Sequence, residues 1–441
     1  MRLKTFSGGI HPSEFKHLTE HKIIEKAPIP EQAIVPLQQH IGAPTECIVE
    51  KGDHVKTGQP LSKATKFVSV PVHAPITGLV KSIEILPHPL GIKSLSVLIE
   101  HDGSEDQSFS NHNSNLNIND LDKDTILDRI RNAGMAGMGG ASFPTHVKLS
   151  PPSDKKIDML LINGVECEPF LTADHRLMLE KTEEIVKGIH IIMRLLHVKR
   201  VIIGIEKNKP DAIQLMQKRT KRYKKISVLS LPVKYPQGGE KQLIYAALRR
   251  CVPSGGLPMD VGCIVQNVGT AFAIYEAVYF DKPLIERVVT VTGPGIAQPK
   301  NVLARIGTPF KNLIEFCGGY IPSASKVLNG GPMMGIAQVT DEVPVVKGTS
   351  GILVLDQSYA KIPDEQTCIS CARCVDICPM KLMPNRMTSY IEHDQIEDAV
   401  KYGLLNCIEC GSCAYICPAK RHLLHYIKLG KMRYNEIRAL S

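Results

Sequence analysis

Apolar residues change their spacing several times along this chain, and each change marks a different kind of element. Over residues 46–85 apolar positions alternate with glycine turns, which predicts short strands joined as hairpins. Residues 101–120, HDGSEDQSFSNHNSNLNIND, lose that alternation and read as a polar linker. From 121 to 280, helical periods (LDKDTILDRIRNAG, RLMLEKTEEIVKGIHIIMRLLH) alternate with apolar strands (DMLLING, RVIIGIE, ISVLSLP). That alternation predicts an α/β layer with a largely parallel sheet, whose ligands sit at the C-terminal ends of the strands. Residues 287–340 shift again: RVVTVTGPGI reads as strand and turn, PFKNLIEFCGG as a short helix, KVLNGGPMMGIA as a glycine-rich return. Near the end, MTSYIEHDQIEDAVKYGLL is helical, and the last stretch, KRHLLHYIKLGKMRYNEI, is a basic amphipathic helix.

At 441 residues the chain exceeds what one growing core accommodates, and two to four domains are expected. The N-terminus, MRLKTFSGGIHPSEFK, has no apolar run after its basic residues and does not read as a secretory signal. No stretch approaches the uninterrupted apolar length of a membrane span, so work at a membrane requires partners that hold the chain there. The net charge of +9 suits an anionic partner or simply a solvated basic surface, and no nucleic-acid-binding module accompanies it.

Cysteine placement sharpens the picture. Eight of the thirteen cysteines fall in two copies of C-x2-C-x2-C-x3-C-P: Cys368, Cys371, Cys374, Cys378 with Pro379, and Cys407, Cys410, Cys413, Cys417 with Pro418. This is the signature of a two-cluster ferredoxin, in which three close thiolates hold one cubane and the fourth reaches the other. The predicted [4Fe-4S] ligand sets therefore cross: Cys368, Cys371, Cys374 and Cys417 for cluster 1, Cys407, Cys410, Cys413 and Cys378 for cluster 2. Zinc, the alternative, favours paired CxxC or Cys/His sets. The other five cysteines form no disulfide framework, and exposed cubanes suit a reducing compartment.

A second chemical signal is AGMGGASFPTHVKL. Gly137, Gly139 and Gly140 let backbone approach a ligand, and Lys148 adds positive charge for a phosphate. Downstream, LLINGVECEPFLTADHR ends a strand with Asn163 and sets Glu166 and Glu168 two residues apart. Alone, each stretch also reads as a structural turn.

Together, GMGGASFP and NGVECEP resemble the GxGGAxFP and NxxExEP motifs of the FMN- and NADH-binding flavoprotein subunit of respiratory complex I. The resemblance implies FMN contacts at Gly137, Gly139, Gly140, Lys148, Asn163 and Glu166, and NADH contacts at Phe143 and Glu168. YPQGGEKQL resembles that family's GEE segment, placing Gly238, Gly239 and Glu240 near the flavin and dinucleotide. CIVQNVGTAFA resembles its NNVET motif, adding Asn267 and Thr270 as FMN candidates. Three acidic positions of those motifs are Val165, Gly239 and Gly269 here, departures that bear on NADH more than on FMN.

Two flanking segments carry further resemblances. Val49–Leu61 and His73–Val80 are similar to the lipoyl/biotinyl barrel-sandwich hybrid, with Phe67, next to Lys66, where that family carries its modifiable lysine; an unmodified structural domain is expected. Residues 287–340 resemble the soluble-ligand-binding β-grasp module. With FSGGIHPSE and CIECGSCAYICP, the whole chain resembles the C subunit of the Rnf/Rsx ion-translocating oxidoreductases. The implied architecture is multidomain α+β. An N-terminal segment and barrel-sandwich hybrid occupy 1–100 and a linker 101–120. A Rossmann-like FMN/NADH domain follows over 121–285, then a β-grasp module over 286–345, an α-helical two-cluster ferredoxin domain over 360–425 and a basic helix over 426–441. The implied role is a peripheral subunit on the cytoplasmic face of a bacterial inner membrane, passing electrons between NADH, FMN and two [4Fe-4S] clusters. Its implied partners are the membrane subunits of its complex and a ferredoxin-type carrier. The alternatives are a relay or docking subunit that binds no nucleotide, and a soluble corrinoid reductase of the same layout.

Overall fold

The structure, a computed structural model, describes residues 4–109 and 116–440; residues 110–115 of the predicted linker lie outside the described residues. The N-terminal unit is built from two small sheets. Gln32–Pro36, Ile92–His101, Gly78–His88 and His54–Val55 lie side by side, and Glu46–Cys47 pairs with Ser62–Lys63. Val35, Val55, Leu61, Val72, Val80 and Val97 fill the space they enclose. Phe67, at the hairpin tip, is 59% exposed, yet its carbonyl accepts a 2.8 Å bond from His146 Nε2 and its ring meets the His146 ring edge-on at 5.5 Å. The tip is thus fixed against the helix Thr145–Lys148 that follows the glycine-rich loop.

The α/β unit has a four-stranded sheet, entirely parallel, in the order Ile226–Leu231, Val201–Glu206, Met159–Gly164, Cys263–Asn267. Met159–Gly164 comes first in the chain, the next two strands add on one side, and Cys263–Asn267 adds on the other. The order therefore reverses between Met159–Gly164 and Cys263–Asn267, the place where such sheets open a crevice for ligands. Helices Thr182–Leu196 and Val268–Phe280 pack closely because Gly188 lacks a side chain. A Cβ there would lie 1.8 Å from the Ala271 carbonyl oxygen.

The β-grasp sheet is larger than the segment 286–345 suggests. Its six strands run Ile24–Lys26, Lys300–Arg305, Glu286–Thr292, Gly351–Asp356, Ala324–Asn329, Ile336–Ala337, with the helix Phe310–Phe316 against them. An edge strand thus comes from the N-terminal segment, and an interior strand from beyond residue 345. The cysteine-rich unit is helical, with a core of Met387, Ile391, Ile396, Leu404, Leu423 and Ile427. The C-terminal helix, Leu423–Leu440, contributes to that core and is part of this unit.

One buried lysine joins three units. Lys347 Nζ donates to the carbonyls of Pro71 (2.9 Å) and Gly134 (2.7 Å), and its backbone N–H donates to Gln39 Oε1 at 3.0 Å. Burial pushes its pKa down to about 7.

Alanine normally favours a helix over glycine by about 1 kcal/mol. At Gly188 the clash is with backbone, and overpacking costs about 1–3 kcal/mol. Gly188→Ala should therefore lower the urea midpoint of the full-length chain; a midpoint equal to or above wild type would contradict the packing described.

Candidate functional site

At the reversal of strand order two asparagines end adjacent strands in register, Asn163 opposite Asn267. Asn163 Nδ2 donates to the Gly238 carbonyl at 2.8 Å, and its Oδ1 accepts from Val165 N at 3.2 Å. Asn267 caps the helix Val268–Phe280: its Oδ1 accepts from Gly269 N (2.7 Å) and Thr270 N (3.3 Å), while Nδ2 donates to Asp174 Oδ2 at 2.7 Å. Side-chain acceptors at that position satisfy helix N–H groups that otherwise lack partners.

The glycine-rich loop lies over this pair. Gly137 N donates to the Phe143 carbonyl at 2.9 Å, closing the loop, and Met138 N donates to Thr270 Oγ1 at 3.0 Å, tying it to the capped helix. A Cβ on Gly139 would come within 3.1 Å of Asn267 Nδ2. Gly140, at φ +82°, has nothing within 4 Å of its Cβ direction, so the loop presents an open backbone face there. Lys148 Nζ pairs with Glu240 Oε1 at 2.7 Å and reaches the Val265 carbonyl at 3.4 Å. Gly239 precedes the helix Glu240–Leu248. The structure thus brings together Gly137, Gly139, Gly140, Phe143, Lys148, Asn163, Gly238, Gly239, Glu240, Asn267 and Thr270.

The two glutamates diverge. Glu166 has left-handed backbone (φ +47°), and its carboxylate accepts from Asp174 N (2.7 Å) and His175 N (3.2 Å), capping the helix Ala173–Glu180. Burial and the adjacent Glu166 push the Asp174 carboxyl upward. Glu168 turns towards the β-grasp unit, where its oxygens accept from Met333 N (3.1 Å) and Met334 N (2.9 Å). Burial raises its pKa to about 7.

Two buried lysines, which sequence reading missed, hold the stretch that carries both glutamates. Lys16 Nζ donates to the carbonyls of Glu166 (2.9 Å), Glu168 (3.0 Å) and Leu171 (2.7 Å). Lys209 Nζ donates to the Val165 carbonyl at 2.8 Å. Burial lowers the Lys16 pKa. A cavity of about 160 Å³ opens beside them, lined among others by His11, Glu14, Cys167, Lys234 and Tyr235.

Tyr235, also missed, is the bridge to the cysteines. It is 2% exposed and its hydroxyl donates to the Cys410 carbonyl at 2.8 Å. Its backbone pairs with Ile10 through two 2.9 Å bonds, while Gly9 N donates to the Ile377 carbonyl at 2.7 Å. Gly8 must be glycine: a Cβ would stand 2.7 Å from the Ile377 oxygen and 2.8 Å from that of Cys378. The N-terminal FSGGIHP is therefore clamped between the Tyr235 loop and the chain at Cys378.

Cys378, Cys407, Cys410 and Cys413 line one gap together with Met387, Leu424 and Ile427. Burial pushes the Cys413 thiol up, and the neighbouring Cys407, Cys410 and Cys378 add to it. Cys374 feels Cys417 and Cys368. The structure thus groups the fourth cysteine of each repeat with the other repeat. N–H groups of Leu382 and Glu409 point at the sulfurs of Cys378 and Cys407, each at 3.4 Å. Cys368 and Cys371 are exposed, whereas Cys410 and Cys413 are buried.

Comparisons agree with this layout. Successive family descriptions match: RnfC barrel sandwich hybrid domain over residues 4–104, Nuo51 FMN-binding domain over 130–276, SLBB domain over 288–337, and 4Fe-4S dicluster domain over 360–418. The NAD+-reducing [NiFe]-hydrogenase in its air-oxidized state shares the fold at 18% identity and TM-score 0.51, over 69% of this chain and 63% of that one. The C subunit of the proton-translocating ferredoxin:NAD(+) oxidoreductase complex of Clostridium ljungdahlii is 49% identical over 97% of this chain and 93% of its own length. Its Na(+)-translocating counterpart of Acetobacterium woodii is 46% identical over 97% and 96%. With such identity along nearly the whole of both chains, this protein belongs to the family of C subunits of the Rnf-type ion-translocating oxidoreductase complexes.

Proposed function

We propose that the chain is the NADH-facing peripheral subunit of an ion-translocating oxidoreductase complex. It works at the cytoplasmic face of a bacterial inner membrane and passes electrons between NADH and two [4Fe-4S] clusters by way of FMN. Among the described residues no helix is long and apolar enough to cross a membrane, so in this reading ion movement belongs to partner subunits. The observation that carries the reading is the loop Tyr235–Gly239: Gly238 accepts from Asn163 in the crevice while Tyr235 donates to Cys410.

The residues of the crevice fit FMN. Gly140 leaves open backbone, the glycine-rich loop is braced by Thr270, and Lys148, ion-paired with Glu240, would turn its charge to a phosphate on binding. Bound there, FMN supplies exchange between a two-electron hydride and single electrons, which the clusters carry one at a time. The chain's own work is positioning, with no general acid or base required for hydride transfer. Asn163 and Asn267 fix the two strand ends, and Glu166 and Lys16 fix the turn between them. The resemblance assigns Phe143 and Glu168 to NADH; Phe143 closes the glycine-rich loop, whereas the Glu168 carboxylate accepts from Met333 and Met334 of the β-grasp unit. Cys378, Cys407, Cys410 and Cys413, which line one gap, would hold one cluster, and the exposed Cys368 and Cys371 would belong to the other. Near-complete alignment with complex subunits favours this role over a soluble corrinoid reductase.

Anaerobic purification followed by NADH titration should give one FMN per chain, with flavin and cluster absorbance both lost on reduction. Cluster absorbance without flavin and without response to NADH would overturn the reading in favour of a relay subunit.

Crossed ligation has its own test. Cys378→Ala should reduce the iron content from about eight to about four atoms per chain. The EPR signal lost should be the one that Cys407→Ala also removes. Loss of the signal that depends on Cys368 would show that the sets do not cross.

A further inference from the structure

Ser412 is fully buried, and among the described residues its hydroxyl has one bonding partner, the Cys410 sulfur at 3.4 Å. A buried hydroxyl needs a partner, because an unpaired one loses its hydration with nothing in return. Here a cluster ligand meets that need. A thiol can donate to the hydroxyl, but a thiolate on iron carries no proton and only accepts. With a cluster in place the bond therefore runs from Ser412 to Cys410. The surroundings hold both residues. The Tyr235 hydroxyl fixes the Cys410 carbonyl at 2.8 Å, and Gly411, at φ +75°, lies where a Cβ would stand 2.8 Å from the Met333 oxygen.

The two cysteine repeats differ at this point. Ser412 precedes the third cysteine of its repeat, and the matching residue before Cys374 is Arg373, which is exposed. Backbone N–H groups face Cys378 and Cys407, but among the described residues no other cluster cysteine has a side-chain hydroxyl on its sulfur. Burial differs as well. Cys410 and Cys413 are 7% and 8% exposed, whereas Cys368 and Cys371 are open to solvent. Reduction adds a negative charge to a cluster, and a low-dielectric setting makes that charge costlier. Burial alone thus sets the cluster of Cys407, Cys410 and Cys413 at a lower potential than the exposed one. Hydrogen bonds to cluster sulfurs act the other way, because they strengthen as negative charge gathers on sulfur.

We propose that Ser412 is a positioning residue for electron transfer: its hydroxyl donates to the iron-bound sulfur of Cys410 and raises the reduction potential of that cluster. The bond offsets part of what burial takes away. The potentials of the two clusters are thereby drawn together, so that an electron passes between them without a steep step in either direction. The inference rests on a [4Fe-4S] cluster held by Cys407, Cys410 and Cys413. It depends neither on FMN in the crevice nor on which repeat supplies the fourth ligand.

The test is an EPR-monitored redox titration of the full-length chain with both clusters. Ser412→Ala should keep about eight iron atoms per chain and both EPR signals. The signal that Cys407→Ala removes should titrate at a lower potential than in wild type. At the wild-type midpoint its reduced-to-oxidised ratio should fall about fivefold, as expected when a hydrogen bond of ordinary strength is lost from the reduced state. The other signal should stay where it is. Ser412→Thr, which restores a hydroxyl, should return the midpoint towards wild type. An unchanged or higher midpoint in Ser412→Ala overturns the proposal, as does an equal shift of both clusters. If Ser412→Ala loses iron, Ser412→Thr and Ser412→Val decide, since they share a shape and differ by the hydroxyl: the valine variant should titrate lower, and equal midpoints overturn the proposal. A wild-type chain without the iron of two cubanes overturns the cluster reading itself, and this inference with it.

Discussion

Electron transfer depends on holding redox sites at fixed separation, and here one buried hydrogen bond joins the parts that must be held. The Tyr235 hydroxyl donates to the Cys410 carbonyl, from a loop whose Gly238 is bonded to Asn163 in the crevice. A single such bond contributes only about 1 kcal/mol net. Its effect on geometry is larger because the N-terminal FSGGIHP closes around it, pairing Ile10 with Tyr235 and Gly9 with Ile377. Four segments far apart in the chain therefore meet beside Cys378 and Cys410. In the proposed ligation, Cys378 and Cys410 would share the cluster beside this junction.

Charge is buried around this junction to fix backbone. Lys16 places its ammonium among three carbonyls of the turn after Met159–Gly164, and Lys209 adds a fourth. Glu166 sits in that turn with left-handed backbone, which few non-glycine residues adopt; the carboxylate's cap on Ala173–Glu180 and the lysines on neighbouring carbonyls hold it. Lys347 does comparable work where three units meet. Carbonyl oxygens offset the lost hydration of Lys16 and Lys347, and Lys209 lies 3.7 Å from the buried carboxylate of Glu206.

Legibility in the sequence follows locality. The cysteine repeats are readable because cubane ligands sit a few residues apart, and Asn163 and Asn267 because each ends an apolar strand within a short motif. Tyr235 is not, since its partner lies 175 positions away. Lys16 and Gly8 are hidden for the same reason: nothing near them in the chain explains a buried lysine or a side-chain-free contact. Gly351–Asp356 is an apolar run past the end of the β-grasp motif, and only pairing with Glu286–Thr292 and Ala324–Asn329 reveals it as an interior strand. Ile24–Lys26 is too short for a period. Glu168 reads in its motif as facing nucleotide, and its bonds to Met333 and Met334 come from a different unit.

In the proposed path the cluster of Cys378, Cys407, Cys410 and Cys413 lies between the crevice and the exposed cluster. Freeze-quench EPR after mixing with NADH tests it, using one variant that lacks the exposed cluster (Cys371→Ala) and one that lacks the buried cluster (Cys407→Ala). Rapid reduction of the remaining cluster is expected in Cys371→Ala and little in Cys407→Ala. Rapid reduction in Cys407→Ala with none in Cys371→Ala would contradict it.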